Sequence, residues 1–236
     1  MALPFFYKKD IAPTDSTVVL EEDTSKHVVQ VLRMKVGEQL RLTDGNGSIY
    51  TCAIADDHRK KTAVEVIGRE SIAEQKPSIT IAISPVKNNS RFEWFLEKAT
   101  EIGVRVIVPL ICERTEKQQL KTDRLQGILT SAMLQSQQAW LPQLMQPIKC
   151  KEYIKASNKA AGGQRFIAHC EELEKTALSS IGITSDAVIL IGPEGDFSSN
   201  EIAFALAEGF QPVSLGATRL RTETAGMVAA VLLSPK

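Results

Sequence analysis

Between Ala187 and Leu233 the chain twice runs from a short apolar strand into a glycine-broken polar loop and then into a helix, which limits the fold more than any other feature. Ala187–Ile191 is a continuous apolar run, the pattern of a strand buried on both faces of a parallel sheet. Gly192-Pro193-Glu194-Gly195 breaks it. Ser198 then stands three residues before Glu201, a capping box that opens a helix with Ile202, Ala205 and Leu206 inward and Gly209 at its end. Pro212–Leu215 reads as a second strand, broken by Gly216. Arg219-Leu220-Arg221-Thr222-Glu223-Thr224 leads into a last helix, Ala225–Leu233, apolar nearly all round and suited to a core or a subunit interface.

Upstream, the same alternation predicts Ile79–Ile83 as a buried strand. A helix opened by Ser90-x-x-Glu93 follows, with Phe92, Phe95, Leu96, Ala99 and Ile102 at core spacing and Gly103 closing it. Arg105–Leu110 is the next strand. Thr122 or Asp123 caps a longer helix with Leu125, Ile128, Leu129, Ala132, Met133 and Ser136 on one face, and Arg165–Ala168 is a further strand. Residues 148–163 give no clear pattern. Strands alternating with helices specify an open parallel sheet with helices on its faces. In such sheets ligands sit beyond the carboxyl ends of the strands. Gly192, Gly195 and Gly216 allow close backbone approach there, beside Glu194, Asp196, Arg219, Arg221 and Glu223. Ordinary turns followed by helix starts would explain either loop taken alone.

Residues 1–72 follow another pattern. Gln39–Thr43 and Ser48–Ile54 read as strands joined through Asp44-Gly45-Asn46-Gly47, a hairpin signal, and Thr62–Ile67 is a third β-rich run. Ser25–Met34 reads as a helix with Val28, Val31 and Leu32 on one face. Short strands with tight turns indicate a small barrel. The expected organisation is a barrel domain over 1–72, a linker over 73–78 and an α/β domain over 79–236.

With 236 residues, 43% hydrophobic and 24% charged, the chain has material for one large or two small domains. No apolar run approaches a membrane span. The start, Met-Ala-Leu-Pro-Phe-Phe-Tyr-Lys-Lys, lacks the basic-then-apolar order of a signal peptide, so a cytoplasmic location is expected. Cys52, Cys112, Cys150 and Cys170 are scattered with no C-x-x-C, which fits reduced thiols and argues against a metal site. His27, His58 and His169 have neither metal nor triad spacing. G-x-G-x-x-G is absent after the first α/β strand and G-x-x-x-x-G-K-[ST] is absent altogether, which weakens nucleotide-binding Rossmann and P-loop readings. The formal net charge of zero argues against indiscriminate nucleic-acid binding. Residues 85–151 nevertheless hold 10 Lys+Arg against 6 Asp+Glu, an excess that by itself reads as a solvated face.

The stretch GPEGDFS (192–198) followed by LGATRLRTETA (215–225) resembles the SPOUT class of RNA methyltransferases, and more closely the ribosomal RNA small subunit methyltransferase E family. His27–Met34, Asp44-Gly45, Glu97–Gly103 and Glu113-Arg114-Thr115 extend the resemblance over nearly the whole chain. The family has Gly where this chain has Asp196. It has Glu before Gln135-Ser136 and Arg two residues beyond, where this chain has Leu134 and Gln138. The resemblance implies a PUA-like RNA-binding barrel followed by a SPOUT α/β domain with a C-terminal trefoil knot. It also implies S-adenosyl-L-methionine as methyl donor, small-subunit ribosomal RNA in the 30S subunit as substrate, N3 of one uridine as target, and a homodimer.

Carried onto this sequence, the donor would lie against Ala168, His169, Ile191, Gly192, Pro193, Glu194, Gly195, Leu215, Gly216, Leu220, Thr222 and Thr224. Arg33, Lys35, Lys87, Arg91, Arg114 and Arg124 would face RNA. Methylating N3 requires removal of a weakly acidic imide proton. Arg221 is therefore the candidate for stabilising the anion or holding the target phosphate, and Glu223 the candidate base. Plainer roles stand beside these: Arg33 as a surface charge, His169 as packing, Glu223 as an acid favouring the helix dipole. A SPOUT ribose 2′-O-methyltransferase and a catalytically silent RNA-binding or ribosome-assembly factor are the alternative functions.

Overall fold

The computed structural model describes residues 3–157 and 163–234. The elements in chain order are β1 (Phe5–Tyr7), β2 (Thr17–Val19), α1 (Glu22–Lys26) running into a π-helical turn at His27–Val31, β3 (Gln39–Thr43), β4 (Ser48–Asp56), β5 (Ala63–Ser71), β6 (Ile79–Ile83), α2 (Asn89–Ile102), β7 (Val106–Ile111), α3 (Thr122–Gln135), β8 (Gln143–Leu144), β9 (Ile148–Lys149), α4 (Cys150–Ser157), β10 (Gln164–Ala168), β11 (Thr176–Ala177), β12 (Ala187–Ile191), α5 (Ser199–Ala207), β13 (Gln211–Ser214) and α6 (Thr222–Leu233). They form two compact units: Met1–Glu74 with Met133–Leu141, and Gln75–Ala132 with Pro142–Lys236.

In the first unit five strands run in the order β1-β3-β4-β5-β2. The pairs β3–β4, β4–β5 and β2–β5 are antiparallel and β1–β3 is parallel. The β4–β5 register shifts twice, which bends the sheet into a half-barrel around Val18, Leu20, Val28, Leu40, Leu42, Cys52, Ile54 and Val64. The hairpin expected at residues 44–47 forms because Asp44 Oδ1 accepts the backbone N–H groups of Asn46 and Ser48. Gly45 and Gly47 sit at φ 72° and 92°. A side chain at Gly47 would also strike the Trp140 ring, 2.4 Å away. The segment 133–141, read from sequence as part of the α/β domain, belongs with this unit: Trp140 Nε1 donates to Ile72 O and Leu141 N to Gly45 O. The helix expected over Ser25–Met34 is instead α1 and the π-helical turn, ending before Arg33, whose φ of 56° is left-handed.

The second unit is an eight-stranded sheet of order β11-β13-β10-β12-β6-β7-β8, with β9 pairing β7 as well. Every pairing in it is parallel. The expected strand β12 matches its apolar run residue for residue and lies between β10 and β6, so it has no solvent edge. One sheet face, with Ala82, Val108, Leu110, Ile167 and Leu190, packs on Ile154 of α4 and on Ile202 and Ala205 of α5. Burying each large aliphatic chain there contributes about 1.5–3 kcal/mol. Helices α2 and α6 pack together and α6 covers β6 and β12. A Cβ at Gly226 would lie 2.7 Å from Ile83 Cδ1 and from Phe95 Cε2, so glycine is what allows α6 to approach this closely.

Three helix starts differ from the sequence reading, α3 among them: Thr122 and Asp123 are its first residues and not its cap. The cap of α2 is Asn88, whose side chain accepts from Ser90 N, rather than a Ser90/Glu93 box. Helix α6 begins at Thr222, so Thr222, Glu223 and Thr224 form its first turn instead of a lead-in loop. The capping box of α5 is present as expected, with Ser198 and Glu201 bonding reciprocally. No helix among the described residues is long and apolar enough to cross a membrane.

Candidate functional site

Parallel pairing brings the carboxyl ends of the central strands level. Ala168 of β10 is in register with Ile191 of β12, and Ile191 with Ile83 of β6. The segments that leave β10, β12 and β13 therefore emerge on one edge of the sheet, where crevices form. Specific bonds fasten them to one another. Asp196 Oδ2 accepts Cys170 N at 2.8 Å, and Asp196 Oδ1 accepts Phe197 N at 2.9 Å. Thr222 Oγ1 donates to Gly192 O at 3.0 Å within the interior. Arg114 Nη1 donates to Gly195 O at 2.8 Å and to Phe197 O at 3.2 Å. Lys175 Nζ donates to His169 O and Glu171 O.

These segments enclose a cleft of two lobes, about 340 and 430 Å3, which share Ala168, Cys170, Arg219, Leu220 and Ala225. That size suits a ligand of a few tens of atoms. The first lobe is walled by Ile191, Gly192, Pro193, Glu194, Arg221 and Thr222, with Arg91 of α2 at its rim. The second is walled by His169, Val213, Leu215 and Gly216. Gly192 is required by what lies beneath it, since a Cβ there would sit 2.9 Å from the Phe197 ring. Gly216 is required by its φ of 142°; the space beside it is open.

The charges are unevenly paired. Arg91 stands between two carboxylates, its Nη1 3.7 Å from Glu194 Oε1 and its Nε 3.7 Å from Glu223 Oε1. Glu223 is 6% exposed and its Oε2 is buried with no hydrogen-bond partner. Arg219 and Arg221 are exposed and make no ion pair among the described residues. His169 is buried with both ring nitrogens unpartnered. Its pKa lies below the usual histidine range, chiefly because burial penalises the cation and secondarily because Lys175 is near. A buried imidazole with two unmet polar atoms on a cavity wall is a group waiting for a ligand or water.

Of the residues expected at a donor site, Ala168, His169, Ile191, Gly192, Pro193, Glu194, Leu215, Gly216, Leu220 and Thr222 line the cleft. Gly195 and Thr224 do not: Gly195 turns its carbonyl to Arg114, and Thr224 lies in the first turn of α6. Among the residues expected to face RNA, only Arg91 reaches the cleft. Arg114 holds loop carbonyls. Arg124 forks onto both oxygens of Glu93 at 2.6 and 2.9 Å, which holds the Glu93 carboxyl below its ordinary pKa. Lys87 pairs with Glu116. Arg33 and Lys35 lie in the first unit, Arg33 exposed and Lys35 3.6 Å from Asp57. Sequence reasoning missed Lys175 and Ala225. Lys175 acts through the carbonyls of His169 and Glu171, outside the GPEGDFS and LGATRLRTETA stretches, and Ala225 carries no chemical signal of its own.

Cys112, Cys150 and Glu201 form a buried trio with their ligand-type atoms within 4.8 Å of one another. The Cys112 thiol is pushed well up by its hydrogen bond with Cys150 and by burial, so it stays protonated. The Glu201 oxygens already accept Glu113 N and Ser198 N. Glu201 therefore ties the start of α5 to the segment that follows β7.

Residues 73–234 match the family model of the RNA methyltransferase domain, and residues 20–67 that of the RNA methyltransferase PUA domain. The chain is 32% identical over 234 residues to the ribosomal RNA small subunit methyltransferase E of Synechocystis, covering 94% of this chain and 75% of that one. Among solved structures it is similar to a probable rRNA-methyltransferase from Porphyromonas gingivalis, with TM-score 0.89, 44% identity and 98% of each chain covered. It is also similar to the ribosomal RNA small subunit methyltransferase E of Neisseria gonorrhoeae bound to S-adenosyl methionine. There the TM-score is 0.85 and the identity 29%, covering 98% of this chain and 96% of that one.

Proposed function

We propose, from the premise that the chain belongs to the ribosomal RNA small subunit methyltransferase E family, that it transfers a methyl group from S-adenosyl-L-methionine to N3 of a uridine in small-subunit ribosomal RNA. The observation that carries this reading is the cleft itself. Apolar walls from Ile191, Leu215 and Leu220 suit an adenine, and exposed backbone at Gly216 suits its polar edge. The unmet nitrogens of His169 offer a further hydrogen-bonding partner to the same ligand. The donor set therefore fits the group. When bound, S-adenosyl-L-methionine supplies a methyl carbon made electrophilic by an adjacent sulfonium.

The chain's own residues perform the remaining work. Holding the uridine N3 in line with that carbon is worth about 7–11 kcal/mol in favourable cases. Glu223, which lies behind Arg91 and outside the cleft lining, is the residue we assign to take the N3 proton as the N3–carbon bond forms. Arg221, exposed at the rim without an ion pair among the described residues, stabilises the negative charge that develops on the imide. Arg91 holds Glu194 and Glu223 in place from α2. The target base is drawn out of any stack to reach the cleft. A ribosomal substrate implies work in the cytoplasm on the assembled 30S subunit. Exposed Trp94 on α2 and Val231 on α6, two helices packed together, are the surface we assign to a homodimer. The return of α6 to β6 and β12 accords with a C-terminal trefoil knot.

The test is nucleoside mass spectrometry of small-subunit rRNA from cells with and without the gene. Loss of one N3-methyluridine, restored by wild type and not by Arg221→Ala, is the expected result. An unchanged N3-methyluridine content with a missing ribose methyl would transfer the reading to a 2′-hydroxyl, and no change in either would leave RNA binding without catalysis.

A further inference from the structure

A second cavity lies beside the cleft in the same unit and takes no part in the chemistry above. At about 630 Å3 it exceeds either lobe of the cleft. Helix α2 separates the two: Arg91 lines the cleft, while Asn89, Phe92 and Glu93 line this cavity. Its floor is apolar, with Val86 and Phe92 each 2% exposed and Leu125 5% exposed. The segment between β7 and α3 makes the opposite wall.

That wall carries polar groups with nothing to do. Gln118, Gln119 and Lys121 line the cavity and make no side-chain hydrogen bond or ion pair among the described residues. Arg124 and Lys117, by contrast, are occupied by Glu93 and Asn89. Half-buried Leu120, two free carboxamides and one free ammonium match the parts of a single nucleotide. A base has an apolar face for the leucine and edges that both donate and accept, as carboxamides do. Its phosphate takes a lysine.

We infer that this cavity seats a nucleotide of the same RNA strand that neighbours the methylated uridine, its base against half-buried Leu120 and between Gln118 and Gln119, its phosphate against Lys121. The inference rests on the proposed activity. The seat lets the enzyme read the target's context from a surface separate from the donor cleft, so recognition and methyl transfer are carried by different residues.

The test compares wild type with Gln118→Ala/Gln119→Ala and with Leu120→Trp, which fills the cavity. Three quantities are measured: equilibrium binding to small ribosomal subunits without donor, single-turnover methylation at saturating donor and varied subunit concentration, and calorimetric donor affinity. The expected result is a subunit dissociation constant and half-saturating concentration raised about fivefold to a hundredfold, the loss of two carboxamide hydrogen bonds, with donor affinity and melting temperature unchanged. Lys121→Ala should flatten the log–log salt dependence of subunit binding by about 0.7, one single-strand phosphate contact. If Leu120→Trp fails to fold, the glutamine double variant decides alone. Unaltered subunit binding and half-saturation in the variants, with wild type methylating normally, overturn the seat and leave the activity standing. Wild-type protein that binds donor but methylates no subunit overturns the activity and the seat with it.

Discussion

Glu223 presents one carboxylate oxygen to Arg91 Nε at 3.7 Å and keeps the other buried without a partner. A carboxylate so placed has a lone pair in reserve, held out of bulk water beside the cleft. Glu223→Gln keeps the shape and removes the basic oxygen. Its single-turnover methylation rate should fall about 10²–10⁴-fold with donor affinity preserved. Rapid-quench measurement at saturating donor and RNA checks this, and a wild-type rate would remove Glu223 from the role of base.

The bond from Thr222 Oγ1 to Gly192 O joins the start of α6 to the loop after β12. Thr222→Val strands a buried carbonyl, which costs about 1–3 kcal/mol. Denaturant unfolding should register that loss, and calorimetry should show weaker donor binding because Gly192 is no longer anchored.

Asp196 holds a left-handed φ of 64° where the resembling family has glycine, and its carboxylate fixes Cys170 N. Asp196→Gly loses the bond but relaxes the backbone, whereas Asp196→Ala loses the bond and keeps the strain. The alanine variant should therefore be the less stable of the two by about 1 kcal/mol, read as the difference between their urea midpoints.

Gly226 leaves no room for a side chain against Ile83 and Phe95. Gly226→Val should destabilise the protein by about 1–3 kcal/mol through overpacking, and its melting temperature should fall accordingly.

Burial lowers the pKa of His169 in the folded chain below the ordinary value of 6.5. The unfolded chain therefore binds the proton first as pH falls. The contribution of His169 to stability is complete above about pH 6.5 and is lost as pH drops through the lowered folded value. His169→Gln should lose less melting temperature than wild type between pH 7.5 and 5, and parallel curves for the two proteins would refute the assignment.

Much of the α/β unit was legible because its signals are local. The apolar run of β12 and the Ser198–Glu201 box specify their elements within a few residues, and both stand where the pattern put them. The start of α6 was not legible. Its first turn carries Thr222 and Glu223, polar residues that look like loop until the bond to Gly192 and the approach of Arg91 give them partners. The same holds for residues 133–141, whose attachment depends on Trp140 reaching Ile72 O, 68 residues earlier. Arg114 and Arg124 illustrate the limit for charge. Sequence gives their sign, while the groups they meet, two carbonyls and a carboxylate, come from distant parts of the chain.

Thr222 fastens the last helix of the chain to a loop made 30 residues earlier, and Leu220, Arg221 and Ala225 wall the cleft beside it. Synthesis runs from the N-terminus, and early segments fold while later ones are still being added. The first unit's strands can therefore form on a nascent chain that still has no ligand pocket. Competence for methyl transfer and the cover over β6 and β12 come only with α6, so a chain stalled or clipped before Thr222 would lack both its pocket and one side of its core.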